Sequence, residues 1–142
     1  MVRRIFATLL CALVCLALPA SGLAQGQVLT ASIPFNFNFG EREMAQGKYT
    51  ILIEGNGVVQ LRSEHDGALA LSRHAEPGAS SYAAPGDSQG PNVLQFRRYG
   101  DLYFLSEIFW LGSAVEIPQS KSEREIAKNY RGGPTLATAA AK

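Results

Sequence analysis

From residue 28 onward, apolar and polar residues alternate, and this alternation predicts most of the secondary structure. Leu29, Ala31, Ile33, Phe35, Phe37 and Phe39 occupy every second position, against Val28, Thr30, Ser32, Pro34, Asn36 and Asn38. A period of two buries one side of an extended segment. Pro34 has no N–H to give to a ladder, so it marks an edge position or a bend between two short strands. A meander follows, with Tyr49, Ile51 and Ile53 on one face, then Val59 and Leu61, then Leu69 and Leu71. The turn lengths follow from keeping that face apolar. A two-residue Asn56-Gly57 loop would set Ile51 opposite Arg62. A three-residue loop, Gly55-Asn56-Gly57, pairs Ile53 with Val59 and Ile51 with Leu61, with Gly57 in the left-handed position. The same reasoning makes Gly67 the turn glycine of His65-Asp66-Gly67 and pairs Leu61 with Leu71.

Residues 73–92 break the pattern. Pro77-Gly78, Pro85-Gly86 and Gly90-Pro91 punctuate a polar stretch that reads as one long, disordered loop. The two most apolar strands come next, at 93–99 and 102–110. They join at Gly100-Asp101, where glycine in the first central position suits a type II′ hairpin. This register sets Phe96 opposite Leu105, Arg97 opposite Phe104 and Val93 opposite Ile108. Both faces of the hairpin carry apolar residues, which predicts a central position covered on both sides. A short helix closes the pattern. Pro118 precedes it, Ser120 and Glu123 make a capping box, and Lys128 and Arg131 complement its dipole. Gly132-Gly133-Pro134 stops it, Ile126 and Tyr130 are its large apolar anchors, and residues 132–142 read as a disordered Ala/Thr-rich tail. The elements predict an all-β fold. Its form is a compact antiparallel β-sandwich or partly closed barrel of about six to eight strands with one short C-terminal helix.

The first 24 residues have a different character. Arg3 and Arg4 precede an apolar run over residues 5–20, broken by Pro19 and Ser21 before Gly22-Leu23-Ala24. A basic start, a short greasy centre and a small-x-small exit describe a secretory signal peptide cleaved after Ala24. The run is shorter than the roughly 20 residues that span a bilayer, so no stable membrane span is expected after cleavage. Neither Cys11 nor Cys15 follows the small residues of a lipidation site. The domain organisation is then residues 1–24 as signal peptide, 25–131 as a single β domain ending in the helix, and 132–142 as tail. The expected location is periplasmic or secreted.

Cleavage removes both cysteines, and with them disulfides, thiolate metal sites and cysteine nucleophiles. It also leaves 11 basic against 12 acidic residues, interspersed along the chain. Nucleic-acid binding needs a basic stripe that displaces counterions, and there is none. Arg97-Arg98 and residues 121–131 read as solvated faces. Outer-membrane strands run to about 9–11 residues with outward apolar bands, longer than most strands here.

Candidate chemistry is sparse. His65 and His74 are the only histidines, and with Glu64 and Asp66 they read as turn residues rather than metal ligands. A Ser-His-acid hydrolase would need one of them as base, and no serine is read as an elbow nucleophile. The acidic residues sit mostly in turns and helix caps, though paired carboxylates acting on a glycoside depend on a separation that sequence does not give. Tyr99, Tyr103, Phe104, Phe109 and Trp110 read first as core, and Tyr103 with Trp110 is the candidate ligand platform. Arg97 and Arg98 are candidate cation–π partners of Tyr103 and Phe104. Gly57, Gly67, Gly100 and Asp101 are assigned structural turn roles. The Phe35-Asn36-Phe37-Asn38-Phe39 stretch could associate edge to edge if unpaired, and reads as a strand buried in its own sheet.

Ile33-Pro34-Phe35-x-Phe37, Gly47-x-Tyr49-Thr50, Arg98-Tyr99-Gly100-Asp101-x-Tyr103-Phe104-Leu105-Ser106 and Ser122-Glu123-Arg124-Glu125 together span most of residues 28–128. As a set they resemble a family of small exported proteins found in many copies in acidobacterial genomes. That family carries no assigned activity, so the resemblance implies export and carries over no catalytic residues. Met44-Ala45-Gln46-Gly47 departs from the Leu-Pro-Ala-Gly usual in that family, which loosens a turn. The expected function is that of a non-enzymatic β domain, a binding or structural module of the envelope or secreted fraction. No cofactor or metal is implied, and the partner would be an envelope or extracellular protein or a glycan. The alternative is a small secreted hydrolase or carbohydrate-binding module using Trp110, nearby tyrosines and loop carboxylates.

Overall fold

The computed structural model describes residues 26–55, 57–73, 92–110 and 113–142. In chain order its elements are β1 (Gln27–Ile33), β2 (Phe37–Phe39), β3 (Arg42–Met44), β4 (Gly47–Ile53), β5 (Val58–Ser63), β6 (Leu69–Arg73), β7 (Val93–Tyr99), β8 (Leu102–Trp110), β9 (Ser113–Glu116), α1 (Lys121–Asn129) and β10 (Thr135–Ala140). Two sheets face each other. One has the order β1-β4-β5-β6; the other runs β10-β7-β8-β2-β3, with β9 paired to the far end of β8. The fold is an all-β sandwich with one short helix, as the alternation predicts. It exceeds the six to eight expected strands through β3, β9 and β10, each too short or too weakly apolar to stand out.

Pro34 lies at the bend between β1 and β2 and sends the chain from one sheet to the other. Leu29, Ala31 and Ile33 point inward from the first sheet, Phe37 and Phe39 from the second, all at 6% exposure or less. The period of two survives the switch because both sheets bury their inner faces against the same core. Aromatic rings cross that core: Tyr49 meets Phe37 edge-on at 5.3 Å, Phe37 meets Phe96 at 5.5 Å, and Phe96 meets Phe35 at 5.0 Å. Phe37-Asn38-Phe39 is not a free edge, since it lies between β3 and β8.

The first meander turn has the expected register, Ile53 with Val59 and Ile51 with Leu61, and Gly57 takes φ +83°. The second does not. Leu61 pairs with Ala70, not Leu71. The Gly67 N–H reaches back to the Ser63 carbonyl, and Asp66 Oδ1 accepts the Ala68 N–H, so the loop holds four residues. That one-residue change points Ala70 inward and leaves Leu69 and Leu71 exposed.

The central hairpin keeps Phe96 opposite Leu105 and Arg97 opposite Phe104, but Val93 faces Phe109 rather than Ile108. The cause is a bulge at Ser106, whose buried hydroxyl donates to the Gln95 carbonyl at 2.9 Å. An extra residue on one strand shifts every later pair by one. Both faces of the hairpin are covered, the inner by the first sheet and part of the outer by α1.

The tail is a second correction. Residues 135–140 form β10, antiparallel to β7, so the β domain extends past residue 131 and the helix is followed by a strand. Beyond β10, Ala141 bridges Ala31, and Thr30 and Lys142 exchange backbone hydrogen bonds of 2.9 and 2.7 Å. Ala and Thr alternation carries too little apolar weight to read as a strand from sequence. Its backbone pairs because an open edge of β7 lies beside it. Residues 1–24, read from sequence as a signal peptide, and residues 74–91 of the expected loop lie outside the described residues.

Candidate functional site

Among the described residues, the strongest concentration of polar groups lies where α1 crosses the outer face of β7 and β8. Odd positions of β7 face outward here, which places Arg97 and Tyr99 under the helix. Glu123 comes down from its first turn and is 2% exposed. Arg97 grips it with two bonds, Nε to Oε1 at 2.5 Å and Nη2 to Oε2 at 3.2 Å, and gives a third to the Ile117 carbonyl at 3.2 Å. The Tyr99 hydroxyl donates to Oε1 at 3.3 Å and accepts from Gln119 at 3.4 Å. Burial, and next to it the Glu123 charge, hold the Tyr99 phenol above its ordinary pKa of 10.0, so it stays a neutral donor. The Tyr99 ring packs edge-on against Phe104 and Tyr130, at 5.9 and 5.8 Å.

Ser120 caps the helix as expected, accepting the Glu123 N–H at 3.1 Å. The reciprocal half of the capping box is absent, because the Glu123 carboxylate turns to Arg97. At the same end Glu41, from the turn between β2 and β3, accepts the Lys121 N–H at 2.5 Å. Bonds from Ser122, then from Lys121, lower the Glu41 pKa from 4.5. At the other end the Tyr130 hydroxyl accepts the Gly100 N–H at 3.1 Å. The anchors expected for the helix, Ile126 and Tyr130, are half-buried and 40% exposed. A carboxylate is the most deeply placed side chain of α1.

Sequence reading misses the Arg97–Glu123 pair because Glu123 fits a cap so well. The available signal is Arg97 itself: a cation inside a strand covered on both sides needs a counter-charge. Chemically the cluster is closed. Every polar atom named above has a protein partner, and no buried side-chain N or O among the described residues lacks one.

The other candidates are dispersed. Gly100 takes φ +62° in the β7–β8 turn, while Asp101 is fully exposed and meets Arg98 at 3.9 Å. Arg98 lies over the Tyr103 ring at 5.3 Å, the cation–π contact expected; Arg97 is spent on Glu123 instead. Phe35 stacks on the same tyrosine at 4.1 Å, so Tyr103 is already engaged. Trp110 is half-buried against the core at the opposite end of β8. Seven residues of strand, about 23 Å, separate the two rings, so they do not form one platform. Phe109 is half-buried on the outer face.

His65 and Glu64 are exposed in the β5–β6 turn, with Gly67 at φ +68°; His74 lies outside the described residues. Among the described residues no three His, Cys, Asp or Glu side chains gather as metal ligands, and no helix is long and apolar enough to cross a membrane. Thr50, Arg62, Ser63, Glu64 and Gly67 line one shallow, open depression.

Gly86-Asp87-Ser88-Gln89-Gly90 has the Gly-x-Ser-x-Gly spacing, a match that reading no serine as an elbow nucleophile passes over. It lies outside the described residues, in the connection from β6 to β7. The elbow belongs to a strand-to-helix turn atop an α/β sheet, whereas the described residues form a sandwich. Compared with known proteins, the chain matches no family model, no curated protein and no solved structure.

Proposed function

We propose that this chain is an exported, non-catalytic β-sandwich module that binds a partner or builds part of the cell envelope or secreted fraction. The observation that carries this reading is the closed state of the densest polar cluster among the described residues. Arg97, Tyr99 and Glu123 are consumed in docking α1, leaving no free acid, base or nucleophile in that cluster. The signal-like residues 1–24 and the resemblance to small exported proteins support the export half. The competing reading, a secreted hydrolase or glycan binder, rests on the spacing around Ser88 and on the half-buried rings of Tyr103 and Trp110.

Secreted material should have the intact mass of a chain starting at Gln25 (cyclised or not). Met1 retained in a membrane fraction would contradict cleavage after Ala24. The folded chain should hydrolyse neither ester nor glycoside substrates, and its single tryptophan should keep its emission when soluble glycans are added. An activity lost in Ser88→Ala, or a glycan-induced shift lost in Tyr103→Ala, would establish the competing reading. Loss of partner capture from the native envelope in Asp101→Asn, with an unchanged melt, would turn the hairpin tip from a turn into a site.

A further inference from the structure

We propose that the slot between β1 and β7, filled by the chain's own β10, is a strand-acceptor site that the β10 of a second copy fills in trans. Backbone bonds hold β10 on both sides. Six of its residues pair with β7, and Ala141 and Lys142 continue onto Ala31 and Thr30 of β1. Among the described residues this is the one backbone link between the two sheets at that seam. Side chains add little. Ala139 and Ala141 are the only buried residues of residues 135–142, and the one large apolar side chain, Leu136, is 64% exposed. A strand held by main-chain bonds and methyl groups is held by interactions that any strand of the same shape supplies.

The slot selects for shape. Ala137 faces Phe96, Ala139 faces Leu94 and Ala141 faces Ala31, and all three slot-side partners are buried. Only small side chains at alternate positions enter without displacing the core, which is the pattern of this chain's own residues 137, 139 and 141. A second copy is therefore the occupant that fits.

The connection permits the exchange. Tyr130 is fixed by its bond to Gly100 and its contact with Tyr99. From there Arg131-Gly132-Gly133-Pro134 must reverse the chain so that Thr135 starts opposite Arg98, close to Gly100. Gly133 holds φ +66°, the left-handed turn that closes β10 onto its own molecule. Letting this pair of glycines extend removes that turn and sends β10 outward, with every bond of the strand reproduced in the partner. Each copy then donates and accepts one strand, giving a closed two-fold dimer.

The test uses the full chain with Cys11 and Cys15 replaced by Ser. Ala31 and Ala141 are the pair next to the hydrogen-bonded Thr30 and Lys142, so they form a non-hydrogen-bonded pair, with Cα atoms about 4.5 Å apart, within disulfide reach. Ala31→Cys and Ala141→Cys chains are made separately, unfolded, mixed, refolded and oxidised. The expected result is a dimer cross-linked between position 31 of one chain and 141 of the other, several-fold above either variant refolded alone. Deleting Gly132 and Gly133 should raise the cross-linked share further, because the shortened hinge no longer reaches its own β7. The double variant in one chain reports on the fold. If it cross-links within itself while the mixture gives no excess dimer, β10 is held in cis only and the proposal fails. If it cross-links neither within nor between chains, the β1–β10 register is wrong and the slot with it.

Discussion

Glu123 stands third in a helix whose first turn it caps in sequence and anchors in space. Its carboxylate is buried with Arg97, which is 15% exposed, so each charge is tolerated only because the other is there. Glu123→Ala should cost about 3–5 kcal/mol, since it strands a guanidinium under the helix. Arg97→Met combined with Glu123→Leu should recover most of that loss, because an apolar pair avoids the desolvation of both ions. Denaturant melts of the two singles and the double check this. A double variant no more stable than Glu123→Ala would show that Arg97 is needed for something besides its partner. Gly100 makes the opposite case, where the backbone matters and the side chain does not. A Cβ there would meet Tyr130 Cε2 at 3.9 Å, an ordinary contact, so only φ +62° resists a larger residue. Gly100→Val should cost about 1–3 kcal/mol by that strain. Asp101→Asn should leave the thermal melt almost unchanged, because Asp101 is fully exposed.

At the scale of elements, α1 is held by groups far from it in sequence. Glu41 reaches it from the turn between β2 and β3, and Gly100 meets its last turn from the central hairpin. The lowered Glu41 pKa makes the first of these contacts pH-dependent. A carboxylate whose folded pKa is depressed stabilises the fold above its ordinary value of 4.5, and that stabilisation is lost as pH falls through the lower folded value. Glu41→Gln should therefore melt below the parent at neutral pH and approach it under acid. A gap that stays constant from pH 7 to pH 3 would mean that the carboxylate charge adds nothing to the cap. Asp66 behaves alike, held low by Ser63 and then Ala68 in the turn that sets the β5–β6 register.

At the scale of the molecule, the two sheets share one aromatic core, and Phe37 is its hinge point between Tyr49 and Phe96. Phe37→Ala should destabilise the sandwich by about 3–5 kcal/mol, read from the denaturation midpoint, because both sheets then line the cavity. A much smaller loss would mean that the sheets close over the gap. The alternation alone determined which residues of β1, β2, β4 and β5 face inward, since burial on one side of a strand leaves a period of two in the chain. It also determined the first meander turn, where only one register keeps the buried face apolar, while the central turn was marked by Gly100 rather than by the pattern. Only the tertiary structure decided the rest. The extra residue in the second turn and the Ser106 bulge depend on local hydrogen bonds that leave no periodic trace. Strand β10 exists because β7 has an edge to pair with, and Arg97 meets Glu123 because a helix 20-odd residues later packs on its face. Contacts of that kind belong to positions brought together by folding, and no pattern confined to one segment can carry them.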